Sequence, residues 1–172
     1  IPDIRKTIFS KYPTEKDFKF RSTVLVNEIV RLKGKLDLMI MFVSGKKLSF
    51  LNGKVLTILR IGFYEIMFDH KVPDYAAVDS SVNLAHRFTN KKTIGFTNAV
   101  LRNVVRKKDN DPDWCKELEC KDGWSSIPSW IEKKWLENFG EKNLVKLVEF
   151  INQPSETFIR CDINFNSMEK NI

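Results

Sequence analysis

Apolar residues recur at helical spacing along most of the chain. Phe18, Val24, Leu25, Ile29, Val30 and Leu32 fall close to a 3.6-residue period. Ahead of them, Thr14 and Asp17 have the form of a helix-start box, in which a side-chain oxygen covers free amides. Gly34 stands where it can end that helix in the left-handed conformation. A second helix over 35–44 is apolar on most sides and closes at Gly45. Ser49 or Asn52 opens a third, running to Asp69. Val55, Leu56, Ile58, Leu59, Ile61, Phe63 and Ile66 leave it little polar surface, which predicts a helix at the centre of a bundle.

Pro73 stops that run and restarts a helix at Asp74, with Ala77, Val78, Val82 and Ala85 among its apolar positions. Lys91, Lys92 and Thr93 read as a loop, and the next helix covers 94–108. On a wheel, Ile94, Val100, Leu101, Val104 and Val105 share one arc. Asn98, Arg102 and Arg106 lie opposite, one turn apart. One side packs and the other shows a basic ladder.

Asp109-Asn110-Asp111-Pro112 breaks the pattern, and all four tryptophans follow between residues 114 and 135. Tryptophans at this density fill the core of a small helical unit and its contact with a neighbour; stacking on bases is their alternative use. Helices are predicted over 129–139, with Gly140 as stop, and over 141–151. The alternation Thr157-Phe158-Ile159-Arg160-Cys161 predicts one short strand, an edge that needs partners outside this sequence. The chain begins at Ile1, and a new helix opens after Ser167, so a fragment of a longer protein is expected. The expected fold is all-α: a helical bundle over 1–110, then a Trp-rich helical region with a short strand over 111–172.

At 172 residues and 42% hydrophobic, the chain can bury a core as one domain with a small appendage. No apolar run reaches the length that crosses a bilayer, and no secretory leader is expected. Three cysteines, an odd number, argue against a disulfide framework and for a reducing, cytoplasmic compartment. Cys115 and Cys120, with neither His70 nor His86 nearby, do not make a four-ligand zinc set, and no metal is expected. Seven glycines without GxGxxG or GxxxxGK[ST] leave no Rossmann-type site for a nucleotide or S-adenosylmethionine, so no cofactor is expected in this chain.

The net charge is +7, and its distribution says more than its size. From Arg87 to Lys108 there are seven basic residues and no acidic one; the remainder balances, 22 against 22. Cations concentrated in one stretch attract phosphates, although a solvated helix face is the plainer use of them. Arg87, Lys91, Lys92, Arg102, Arg106, Lys107 and Lys108, with Asn98 on the outward arc of the wheel, are therefore the candidate nucleic-acid contacts. No acid, base or nucleophile stands beside a partner, and no catalytic residue is predicted. Arg60 and Glu65 interrupt the most apolar helix and must be satisfied by neighbouring elements.

Three segments resemble NusB-type helical domains. Leu59-Arg60-Ile61-Gly62-Phe63-Tyr64-Glu65 is similar to LRxGxYE. Val72-Pro73-Asp74-Tyr75-Ala76-Ala77-Val78, with Val82, Leu84 and Ala85, is similar to VPxHAAVxxxVxLA. Gly95-Phe96-Thr97-Asn98-Ala99-Val100-Leu101-Arg102-Asn103 is similar to GFVNAVLRN. Such domains occur as free transcription antitermination factors, which regulate transcription, and as amino-terminal domains of the RsmB (Sun/Fmu) 16S rRNA cytosine-C5 methyltransferases. Pro128-Ser129-Trp130-Ile131, Phe139-Gly140-Glu141, Asn152-Gln153-Pro154 and Arg160 resemble the methyltransferase linker, with Ser155 and Asp162 as departures.

This resemblance implies a bundle that binds 16S rRNA in rRNA processing, with Arg160 as a further linker contact. The methyltransferase domain, S-adenosylmethionine and two catalytic cysteines would lie outside this chain; Cys115, Cys120 and Cys161 do not match their settings. It also implies that the usual first helix is missing or truncated before Ile1. The alternatives are the free antitermination factor and a helical module that docks protein only.

Overall fold

The longest apolar stretch of the sequence forms the axis of the fold. In the computed structural model, which describes residues 2–12 and 15–154, this stretch is α4 (Gly53–Met67). Leu59 and Phe63 are fully enclosed, and Val55 and Ile66 nearly so. A helix can bury most of its sides only when others surround it. Here α2 (Lys16–Arg31), α3 (Lys33–Ser44), α5 (Asp74–Phe88) and α6 (Lys91–Asn110) pack around α4. Before them runs α1 (Pro2–Lys11), and after them α7 (Ser129–Ile151). All regular elements among the described residues are helical, as the periodicity predicts. The strand expected at 157–161 lies outside the described residues, as does Thr14. Among the described residues no helix is long and apolar enough to cross a membrane.

Most predicted starts and stops are where local chemistry puts them. The Asn52 side chain accepts from the Lys54 amide at 2.9 Å and caps α4. Gly45, at φ 65°, ends α3 in the left-handed region. Gly140, at φ 73° and ψ 165°, divides α7 into two arms. At the end of the second arm, the Asn152 amide donates to the Ser125 carbonyl at 2.9 Å, and the Asn152 carbonyl accepts from Arg31. Residues 2–11 also form a helix, with Ile4 and Ile8 exposed.

Two expectations are corrected. Lys91, Lys92 and Thr93 are not a loop but the first turn of α6. The Asn90 side chain accepts from the Thr93 amide at 3.1 Å and starts the helix earlier. The signal is masked because cations in a first turn oppose the helix dipole. Gly34 does not end α2; it lies inside α3 in ordinary helical conformation. Its missing side chain serves packing instead. A Cβ there would overlap the Gly123 carbonyl oxygen and lie 2.9 Å from the Ser126 Cα. The loop after α6 thus rests on bare backbone, with the Ser126 hydroxyl accepting from the Lys35 amide at 3.1 Å. Trp114 and Leu118, from the same loop region, enter the core cluster that holds Leu36 and Phe63.

A second close approach lies at the centre. A Cβ on Gly62 of α4 would stand 2.6 Å from Leu101 Cδ2 of α6 and 2.8 Å from Ser81 Oγ of α5. We expect Gly62→Ala and Gly34→Ala each to destabilise the fold by about 1–3 kcal/mol through overpacking. Gly34→Ala should cost the more, since backbone has to move. Gly95→Ala, in α6 with nothing within 4 Å, should instead stabilise by about 1 kcal/mol. Urea midpoints at constant m-value measure all three.

Candidate nucleic-acid interface

The antiparallel pair α5 and α6 leaves an open groove on the surface. The α5 wall presents Tyr75, Val78, Asp79 and Val82, a stripe at helical spacing. The α6 wall presents Asn98, Ala99, Arg102, Val105 and Arg106. Val105 therefore belongs beside the arginines rather than wholly on the packed arc. Arg102 is exposed, and its Nε donates to Asn98 Oδ1 at 3.0 Å, which orients the guanidinium along the helix. Arg106 is exposed, and among the described residues it has no hydrogen bond or ion pair. Tyr75 is 79% exposed at the end of the opposite wall. Sequence reading misses it, because an aromatic residue beside a buried helix face looks like core.

The other predicted cations do not all join this surface. Lys91 is exposed and two turns before Asn98, on the same side of α6; Lys92 is exposed about a quarter turn round. Arg87 lies elsewhere, on a shallow depression lined by Leu25, Ile61, Glu65, Ser80 and Leu84. Lys107 turns toward α3, its ammonium 4.9 Å from the Phe42 ring centroid. Lys108 is taken up by the fold. Its Nζ donates to the Ile66 carbonyl at 2.8 Å and to the two Asp74 carboxylate oxygens at 2.9 and 3.0 Å. One cation thereby joins the last turns of α4 and α6 to the first turn of α5, where helix dipoles favour this arrangement of charge. Arg160 lies outside the described residues. The ladder of the sequence thus shortens to Lys91, Arg102 and Arg106, with Asn98 between them and Lys92 at the edge.

The polar residues of α4 are satisfied by neighbours, as expected. Arg60 makes a two-pronged pair with Asp37 at 2.7 and 2.8 Å. Arg21 of α2 reaches Asp69 at 2.5 Å and Glu65 at 3.6 Å. Burial pushes the Glu65 carboxyl above its ordinary range, and Arg21 opposes that shift. His70 and His86 are exposed. Among the described residues no three His, Cys, Asp or Glu side chains gather as a metal set. Of the tryptophans, Trp114 is buried and stacks on Phe42 with centroids 5.7 Å apart. Trp124 is half-buried under the Lys35 ammonium at 5.1 Å, and burial lowers the Lys35 pKa. These two belong to the packing; Trp130 is 68% exposed. What the groove offers chemically is two guanidinium groups joined to no carboxylate among the described residues, an aromatic ring and hydrogen-bonding side chains over valines.

Residues 6–106 match the NusB family. The transcription antitermination protein NusB of Lacticaseibacillus casei is 30% identical over 96 residues, which is 55% of this chain and 71% of that protein. Its counterpart in Finegoldia magna is 27% identical over 104 residues, 59% of this chain and 76% of that protein. The probable ribosomal RNA small subunit methyltransferase B of Bacillus subtilis is 27% identical over 112 residues, 63% of this chain and 24% of that protein. No solved structure matches the chain.

Two variants test the electrostatic account of this region. Lys108→Met should lower stability by about 1 kcal/mol in urea titrations, a modest loss because both partners of the pair are partly exposed. Arg21→Ala removes the cation facing Glu65. The Glu65 carboxyl, already raised by burial, then rises further, so the folded state takes up a proton that the unfolded chain does not. The penalty is full at neutral pH and shrinks as pH falls through that raised range. Because Arg21 is 41% exposed and its pairs are screened by solvent, we expect a loss of about 1 kcal/mol at neutral pH, and a smaller one in urea titrations at mildly acidic pH.

Proposed function

The chain belongs to the NusB family, and from that premise we propose that it binds RNA through the outer stripe of α6 and the groove beside it. The observation that carries this reading is the pair Arg102 and Arg106: exposed, one turn apart, and joined to no carboxylate among the described residues. Cations held in that state neutralise phosphates and release their counterions. Two features add support. Lys91 and Lys92 occupy the first turn of α6, where the dipole disfavours them. Gly95 lies within the same helix with open space around it, at a cost to stability that packing does not explain. A bare backbone there admits a ligand closely.

Within the family, we read the chain as the domain that holds substrate for a 16S rRNA cytosine-C5 methyltransferase. S-adenosylmethionine and the catalytic cysteines would belong to a separate catalytic domain that flips the target base. Support comes from the region beyond the family match. The methyltransferase-like segments at Pro128-Ser129-Trp130-Ile131 and Phe139-Gly140-Glu141 lie there. The similarity to the Bacillus subtilis protein also covers more of this chain than that to either antitermination protein above. A free antitermination factor is the second reading, favoured by the 71% and 76% of those relatives that the match spans. The native reading frame after Ile172 separates the two. A glycine-rich loop and a Pro-Cys carry the first, and a nearby stop carries the second.

Fluorescence anisotropy with a labelled RNA tests the binding surface. Arg102→Ala with Arg106→Ala should weaken binding about tenfold at low salt and reduce the slope of log K against log salt by about two. Lys107→Ala should leave both within about twofold. Equal affinity and equal slope in the double variant would remove the basis for the reading and point to a module that docks protein only.

A further inference from the structure

The two walls of the α5–α6 groove are chemically unlike. The α6 wall is cationic, through Arg102 and Arg106. The α5 wall carries Tyr75, Asp79 and two valines, and Val105 and Ala99 extend the apolar lining on the other side. A surface that met phosphates alone would gain nothing from an apolar lining and would be weakened by a carboxylate. Of the two carboxylates that line the groove, Asp74 is neutralised by Lys108. Asp79 is not: it is exposed and forms no ion pair with either arginine among the described residues. Its Oδ2 accepts from the Asn83 amide at 3.1 Å, which orients the carboxylate while leaving Oδ1 to accept another donor.

We propose that this groove reads a single unpaired base: the ring stacks on Tyr75 against the valines, an exocyclic amino group of the base donates to Asp79, and the flanking phosphates lie on Arg102 and Arg106. The inference rests on the RNA reading above and adds to it a selecting residue and a preference. The argument runs through what each wall repels. Asp79 repels phosphate, so the strand's backbone lies along α6 and its base turns toward α5. A carboxylate accepts from cytosine N4, as it does from the amino groups of adenine and guanine. Uracil has no exocyclic amino group; its one edge donor, the ring N3–H, lies between two carbonyl oxygens that repel a carboxylate. A paired base cannot turn its face to Tyr75, because in duplex RNA that face is stacked, and cytosine N4 lies in the deep, narrow major groove that side chains do not reach. A free strand supplies the face, and stacking on an exposed aromatic ring tolerates any base, so the choice falls to Asp79.

The test uses the full chain with short labelled oligo(C) and oligo(U) strands of equal length at neutral pH. Oligo(C) is expected to bind about tenfold more tightly than oligo(U). Asp79→Ala should bring that ratio near one without weakening oligo(U), since it removes a negative charge. Tyr75→Ala should weaken both strands about tenfold, and Tyr75→Phe, which keeps the stacking face, should bind as the native chain does. Both side chains are exposed, so the variants keep the fold. A native ratio near one, a ratio that survives Asp79→Ala, or a Tyr75→Ala variant of native affinity overturns the base-reading inference. Arg102→Ala with Arg106→Ala on the same strands locates the failure. If that variant loses affinity and salt slope while the others behave as native, only the base reading falls. If it too is silent, the RNA reading falls with it.

Discussion

The absence of a side chain at Gly62 is the constraint on which the arrangement of α4, α5 and α6 depends. Leu101 of α6 and Ser81 of α5 both occupy the space that a Cβ there would take. Helices usually pack with axes 8–10 Å apart, set by the side chains at their contact. A glycine at the contact lets two neighbours close on the central helix at one level. Among the described residues the buried Ser81 hydroxyl has no hydrogen-bond partner, so that closeness is kept despite an unfavourable polar contact. Because α5 and α6 are both drawn to the same point on α4, they are also drawn to each other. The shallow groove between them is what remains where their outer faces diverge.

Lys108 then fixes how the two walls are aligned. Its contacts with Asp74 and the Ile66 carbonyl hold the start of α5 against the end of α6. Tyr75, one residue after Asp74, is thereby set at the end of the groove that carries Arg106, and Asp79 lies one helical turn further on. The same pairing removes one positive and one negative charge from the surface. It leaves a groove whose unpaired charges are divided cleanly by wall, cations on α6 and the Asp79 carboxylate on α5.

Much of the fold is legible in the sequence because it rests on local rules. The 3.6-residue period marks α4, Gly45 and Gly140 mark breaks, Asn52 marks a start, and Arg60 and Glu65 announce buried partners by interrupting apolar sequence. What is not legible depends on contacts between distant segments. Gly34 has the local signature of a helix end, and only the arrival of residues 123–126 gives it a different use. Lys107 and Lys108 look like the top of a ladder, yet they sit about half a turn and a quarter turn from its line. Phe42 and Asp74, far away in the chain, receive them. Arg102 and Arg106 were identifiable because a wheel alone puts them outward. Tyr75 was not, since no local pattern separates an exposed aromatic from a buried one.

The segment Gly95–Asn103 shows why family resemblance and binding chemistry can be read from the same residues and still remain separate claims. Its helical period interleaves two sets. Thr97, Val100 and Leu101 are buried, and they hold α6 in the bundle. Asn98 and Arg102 look outward from the same two turns. The buried set is constrained by packing at the density of an organic solid, where a methylene matters. The outward set meets only solvent and its ligand, so its charges can be replaced at little cost to stability. A chain can therefore keep the whole buried pattern of the family while the sign and spacing of charge along the groove are retuned. On the reading proposed above, the RNA contact accordingly rests on Arg102 and Arg106 rather than on the motif that contains one of them.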